Sequence, residues 1–178
     1  MAGAITRTQF LRGDFTNQHA PIRPPWSRGE ALFLENCTQC FDCLSSCPEK
    51  IIIKGEAQYP QIDFAKGECT FCFKCVQSCE HQALTGSPES IPWTIKASIN
   101  KHCLALNGVH CMGCRDHCES EAIRFIPKVG QAAYPVINPL LCSGCGACFK
   151  PCPNQSIKLN YQPTYQTISD STLKETTL

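Results

Sequence analysis

The residues able to do chemistry in this chain are its cysteines, 16 of 178 positions, gathered in four groups. Cys37, Cys40, Cys43 and Cys47 form a C-x2-C-x2-C-x3-C run that recurs, displaced by 32 residues, at Cys69, Cys72, Cys75 and Cys79. Cys103, Cys111, Cys114 and Cys118 make a third group, in which the first spacing is x7. Cys142, Cys145, Cys148 and Cys152 make a fourth. Three thiolates one loop-turn apart converge on three irons of one 4Fe-4S cubane, with the intervening N–H groups directed at its sulfides; the fourth iron must be reached from elsewhere. Where two clusters sit together, the cysteine after x3 serves the neighbouring cluster. The spacing therefore predicts four 4Fe-4S clusters. Their ligand sets are Cys37, Cys40, Cys43 and Cys79; Cys69, Cys72, Cys75 and Cys47; Cys103, Cys111, Cys114 and Cys152; and Cys142, Cys145, Cys148 and Cys118.

Other uses of sixteen thiols fit the pattern less well. Zinc ribbons pair two C-x2-C knuckles, whereas here three close cysteines and a proximal fourth recur. A disulfide scaffold needs an oxidising compartment. No C-x-x-C-H is present for a c-type haem. The proline usual after the fourth cysteine is present as Pro48 and Pro153 and replaced by Glu80 and Glu119, so the neighbouring clusters are expected to be tuned differently.

Loops of this kind need only short elements to position them. Ile51–Lys54, Gln61–Phe64, Ile123–Ile126, Pro135–Ile137 and Ile157–Leu159 are strand-length, punctuated by Gly55, Pro60, Pro127, Gly130 and Pro139. Each repeat reads as a cysteine loop, a short helix starting near its third cysteine, and one arm of a hairpin. The expected fold class is α+β, tandem bacterial two-cluster ferredoxin-like units with short hairpins and helices packed around the clusters. The expected divisions are an N-terminal arm over 1–30, a first unit over 31–88, a second over 89–160 and a disordered tail over 161–178, rich in Thr, Ser and Gln. A half of roughly 60 residues buries little apolar surface, so the metal-free chain is expected to be largely unfolded.

Sixteen basic and 15 acidic residues give a formal charge of +1, with no long run of either sign to suggest nucleic acid. Counting each thiolate-bound oxidised cluster as −2 takes the loaded protein to roughly −7. No apolar run is long enough to span a membrane. The first thirty-odd residues have no signal-like apolar stretch, and in Thr6-Arg7-Thr8-Gln9-Phe10-Leu11-Arg12 a threonine stands where a twin-arginine motif needs its second arginine. A soluble, cytoplasmic protein is expected.

His102, His110 and His117 flank the third group, either as hydrogen-bond donors to a cluster or as solvated loop residues. Phe41, Phe71, Phe73 and Phe149 lie within or beside the cysteine loops, where they would exclude water. No Ser-His-Asp grouping, phosphate-binding glycine loop or paired carboxylates are seen, so no catalytic site is expected.

The segment Ile22-Arg23-Pro24-Pro25-Trp26-Ser27-Arg28-Gly29-Glu30, the x7 loop opening Cys103-Leu104-Ala105 and the closing Cys142-Ser143-Gly144-Cys145-Gly146-Ala147-Cys148 resemble the ferredoxin-type NapF family over about residues 20–160. The resemblance implies a cytoplasmic accessory protein of periplasmic nitrate reduction. It would bind the precursor of the catalytic molybdoprotein and assist its maturation, by iron-sulfur loading or redox conditioning, before export. The alternative is an electron-transfer ferredoxin relaying single electrons to a reductase. Pro24-Pro25 would present Trp26, between Arg23 and Arg28, as a docking arm, or Trp26 would pack back onto the first repeat.

Overall fold

The computed structural model describes residues 21–162, so the readings of the first 20 residues and of 163–178 fall outside it. The elements in chain order are α1 (Glu30–Asn36), α2 (Asp42–Ser46), β1 (Ile52–Lys54), β2 (Pro60–Ile62), α3 (Lys74–Gln77), β3 (Ile95–Ile99), α4 (Gly113–Asp116), β4 (Ile123–Lys128), β5 (Gln131–Ile137) and β6 (Ile157–Tyr161), with 3₁₀ turns at Glu56–Gln58 and Ala105–Asn107. This is a mixed α+β arrangement of short pieces.

The repeat seen in the cysteines is also written in the backbone. Three residues after each fourth cysteine the chain enters the left-handed region, at Lys50, Gln82, Glu121 and Gln155, with φ of 53, 56, 49 and 48°. In every case that residue's N–H donates to the carbonyl of the cysteine, Cys47, Cys79, Cys118 or Cys152. None of the four is glycine, so each turn carries a steric cost of about 1–2 kcal/mol that the surrounding structure must offset. The third group, irregular in spacing, shares this turn with the others.

Helices α2, α3 and α4 contain the third cysteines Cys43, Cys75 and Cys114, as the spacing predicts. The fourth group forms turns over 147–151 instead. Pro151 stands there without an N–H, which removes a helical hydrogen bond. Three antiparallel pairs follow, β1 with β2, β4 with β5, and β3 with β6. The strand expected over 61–64 runs from Pro60 to Ile62; Asp63 still donates its N–H to the Ile51 carbonyl at 2.8 Å, and its carboxylate accepts the Ala65 N–H at 3.0 Å in an Asx turn that ends the extended run. β6 extends past the expected Leu159 to Tyr161, whose hydroxyl accepts the Arg23 N–H at 3.0 Å. β3 lies outside the expected strands, and it closes the chain's second half by pairing Ile95 with Tyr161 and Ile99 with Ile157.

One buried cluster, including Trp26, Phe33, Ile51, Ile62, Phe64, Trp93, Ile95 and Leu159, draws residues from both halves of the chain. A smaller one joins Ile123 and Ile157 to Phe125 and Ile137. The first cluster continues into the loop of the fourth cysteine group. The Trp93 indole donates to the Ser143 carbonyl at 3.0 Å, and the Cys69 N–H donates to the Cys145 carbonyl at 2.8 Å. A Cβ at Gly146 would overlap three atoms of the Phe64 ring, the farthest 2.7 Å away, so only glycine allows this approach.

The Arg-Pro-Pro-Trp segment is not a free arm. Arg23, Pro24, Pro25 and Trp26 are all buried. The Arg23 guanidinium donates twice to the Glu30 carboxylate, at 2.6 and 2.8 Å, and once to the Pro60 carbonyl at 3.0 Å, while lying over the rings of Phe33 and Tyr59. A charge can be buried here because each of its faces has a partner. Of the two readings of Trp26, docking element or internal packing, the structure gives the second. Its indole stands nearly perpendicular to the rings of Phe73 and Phe71, with centroids 5.0 and 6.5 Å apart.

Candidate metal centres

In the first two cysteine groups the spacer residues Gln39, Phe41, Phe71 and Phe73 have φ of 60, 67, 52 and 65°. In the fourth group the equivalent positions are Gly144 and Gly146, at 79 and 86°. Alternation of right- and left-handed residues turns successive N–H groups toward one point, a concavity suited to a negative guest. Backbone donors at Gln39 and Phe71 lower the thiol pKa values of Cys37 and Cys69 against the larger opposing effect of burial.

Around each concavity the thiols gather as quartets that cross the repeats. Cys37, Cys40, Cys43 and Cys79 line one cavity together with Phe33, Phe41 and Leu84. Cys69, Cys72, Cys75 and Cys47 line a second with Trp26, Phe71, Phe73 and Ile62. Cys142, Cys145, Cys148 and Cys118 line a third with Ala97, Ile123 and Leu159. The remaining four thiols are Cys103, Cys111, Cys114 and Cys152, and Cys103, Cys152 and Cys111 all lie close enough to act on Cys114.

The pseudo-twofold axis relating the first two groups is visible where Ser46 and Ser78, 32 residues apart, touch hydroxyl to hydroxyl at 3.0 Å. Within each half the two quartets approach through their third cysteines, since Cys75 acts on Cys43 and Cys114 on Cys148.

Burial, followed by crowding from neighbouring thiols, pushes Cys43 and Cys148 up to about 12 and Cys114 to about 11. Burial likewise pushes Cys75 up to about 12, with Cys72 as the next contributor. Such thiols hold their protons at neutral pH, and a guest ligated through thiolates would have to displace them. All sixteen are free thiols, none paired as a disulfide. Among the described residues, no three or more His, Cys, Asp or Glu side chains close on a point that could hold a single metal ion. Four thiolates holding a tetrahedral zinc ion would have to converge on one point, which the quartets do not do.

A family model for a 4Fe-4S dicluster domain matches residues 36–84, and one for a 4Fe-4S binding domain matches residues 135–158. A ferredoxin-type protein NapF of Haemophilus influenzae is 44% identical over 166 residues, covering 88% of this chain and 94% of its own. The chain belongs to the ferredoxin-type protein NapF family. The Escherichia coli member is 37% identical over 156 residues, with the same two coverages. A methylamine utilization ferredoxin-type protein, MauM of Paracoccus denitrificans, is 28% identical and covers 74% of this chain.

The chain is thus an iron-sulfur protein of ferredoxin type. The dicluster match holds the first two cysteine groups and the second match the fourth, while Cys103–Cys118, with its longer first spacing, lies outside both. The Ala105–Asn107 turn and Gly108, at φ 83°, carry that extra length. His102, His110 and His117 are exposed, and His117 Nδ1 lies 2.9 Å from the Gly113 carbonyl, so these histidines are solvated loop residues. Phe41, Phe71, Phe73 and Phe149 are half-buried beside the thiols, as expected of residues that keep water away. No helix among the described residues is long and apolar enough to cross a membrane.

Proposed function

We propose that each thiol quartet holds one 4Fe-4S cluster, four in all, in two tandem two-cluster units, and that the protein is a non-catalytic accessory factor of periplasmic nitrate reductase. Bound there, the clusters supply one-electron oxidation and reduction. The observation that carries the reading is the crossing of the quartets, in which Cys79 stands with the first group's thiols and Cys47 with the second's. Within each site the protein's own contribution is to strip water from the thiols with phenylalanine and isoleucine walls, to aim backbone N–H groups inward, and to staple one repeat to the next. Glu80 and Glu119, both exposed where proline is usual, leave a negative charge near two of the sites.

Membership of the family supports a client, the cytoplasmic precursor of the nitrate reductase catalytic subunit, which the protein binds and helps to mature before export by iron-sulfur loading or redox conditioning. With Arg23 and Trp26 buried, client recognition falls to other surfaces. A second reading, a cytoplasmic electron carrier serving a reductase, draws support from the Cys69–Cys145 backbone contact, which brings quartets of the two halves side by side. Anaerobic capture of the tagged protein from nitrate-grown cells separates the two. Recovery of the catalytic subunit with its signal peptide still attached is the expected result. Capture of other redox enzymes without that precursor would overturn the maturation reading in favour of the carrier.

A further inference from the structure

The chain has two tryptophans, and their indole N–H groups are treated differently. Trp93 Nε1 donates to the Ser143 carbonyl at 3.0 Å. Trp26 is 4% exposed, and its Nε1 is buried with no hydrogen-bond partner among the described residues. An unmatched buried donor costs about 1–3 kcal/mol and is rarely tolerated unless a partner outside the polypeptide satisfies it. Trp26 is also a wall of the cavity of Cys47, Cys69, Cys72 and Cys75. Its surroundings hold it there. The backbone N–H donates to the Pro92 carbonyl at 2.6 Å, Thr85 donates back to Trp26 at 3.0 Å, and Gly86 leaves room for the ring, where a Cβ would come within 2.5 Å of the indole Cδ1. Phe71 and Phe73 stand nearly perpendicular to the ring and carry no nitrogen or oxygen to accept its N–H.

We propose that the Trp26 indole N–H donates a hydrogen bond to a sulfur of the cluster held by Cys47, Cys69, Cys72 and Cys75, making Trp26 a positioning and potential-setting residue for that one centre. The inference rests on the proposed cluster occupancy of this cavity. A donor at sulfur stabilises the more negative, reduced state, so its removal shifts the potential of that centre to more negative values.

The test uses the loaded full chain carrying Trp93→Phe and grown with 15N-indole tryptophan, which leaves Trp26 as the sole labelled indole. Electron-nuclear double resonance of the reduced protein is expected to show a 15N coupling and a deuterium-exchangeable proton coupling. Trp26→Phe, which keeps an aromatic ring and loses the N–H, is expected to abolish the exchangeable coupling and to lower one midpoint potential while the other centres hold theirs. Reduced clusters without any 15N coupling in the Trp93→Phe protein would overturn the inference, and that measurement stands even if Trp26→Phe fails to load. Absence of iron and sulfide from the Cys47, Cys69, Cys72 and Cys75 site in the unmodified protein would overturn the occupancy reading itself, and the inference with it.

Discussion

Replacing Gly146 by alanine tests how the chain's two halves are joined. At the equivalent backbone positions of the first two groups the residues are Phe41 and Phe73, both with positive φ, so the conformation alone does not demand glycine. The demand comes from Phe64, which is buried, packed edge-on against Trp93 with centroids 6.0 Å apart, and so unable to swing away. Gly146→Ala carries two costs: about 1–2 kcal/mol for a side chain at φ 86°, and about 1–3 kcal/mol for forcing a methyl into the Phe64 ring. Gly130, at φ 71° with nothing within 4 Å of where a methyl would stand, is the internal control and carries only the first. The excess of about 1–3 kcal/mol should lower the urea midpoint of Gly146→Ala below that of Gly130→Ala by roughly 0.5–1.5 M, taking a slope near 2 kcal/mol/M. Anaerobic urea titration of both loaded variants, followed by far-UV circular dichroism, reads the difference directly. Equal midpoints would refute the packing of the fourth cysteine loop on the first half's core.

Arg23→Ala should cost about 3 kcal/mol, the low end for breaking a buried ion pair because Glu30 remains 44% exposed, while exposed Arg28→Ala should stay within about 0.5 kcal/mol; thermal melts of the two loaded variants compare them. Cluster loading should strengthen as pH rises from 6 to 9. The ordinary thiol value is 9.0 and burial moves Cys43, Cys69, Cys75 and Cys148 up to about 12, so both unfolded and folded metal-free chains are protonated at neutral pH and must release protons on loading. Reconstitution yields independent of pH would contradict this. Chelation of iron under argon should remove most of the far-UV signal, since the quartets occupy the centre of the fold; a metal-free chain with a native-like spectrum would show that the apolar clusters suffice.

The cysteine quartets are legible because cluster chemistry fixes ligand spacing, and a displacement of 32 residues between the first two groups, and of 34 between the last three cysteines of the other two, pairs each group with its neighbour. The β1–β2 and β4–β5 hairpins are legible from Gly55 and Gly130, whereas Pro60 and Pro127, expected as punctuation, lie inside β2 and β4. β3 escapes a sequence reading although Trp93, Ile95, Ala97 and Ile99 alternate, because its partner β6 lies about sixty residues on and no local turn announces the pair. The fate of Arg23 and Trp26 depends on Glu30, Pro60 and the phenylalanines of the second cysteine loop, and spacing carries no information about those tertiary partners. The glycines of Cys142-Ser143-Gly144-Cys145-Gly146 carry the needed signal, since they stand where the first two groups have Gln39, Phe41, Phe71 and Phe73, but only Phe64, Trp93 and Ile95 in space give it a meaning.

Crossed ligation is tested most directly by iron and sulfide content of paired alanine variants. The unmodified chain should bind about sixteen iron atoms if four cubanes are present. Cys47→Ala with Cys69→Ala removes two thiols from one quartet and should cost about four irons, leaving three spectroscopically normal clusters. Cys47→Ala with Cys37→Ala removes one thiol from each of two quartets and should perturb two clusters. The reverse pattern, two clusters damaged by the first pair and one by the second, would mean that each cysteine run closes on its own cluster and would contradict the crossed arrangement.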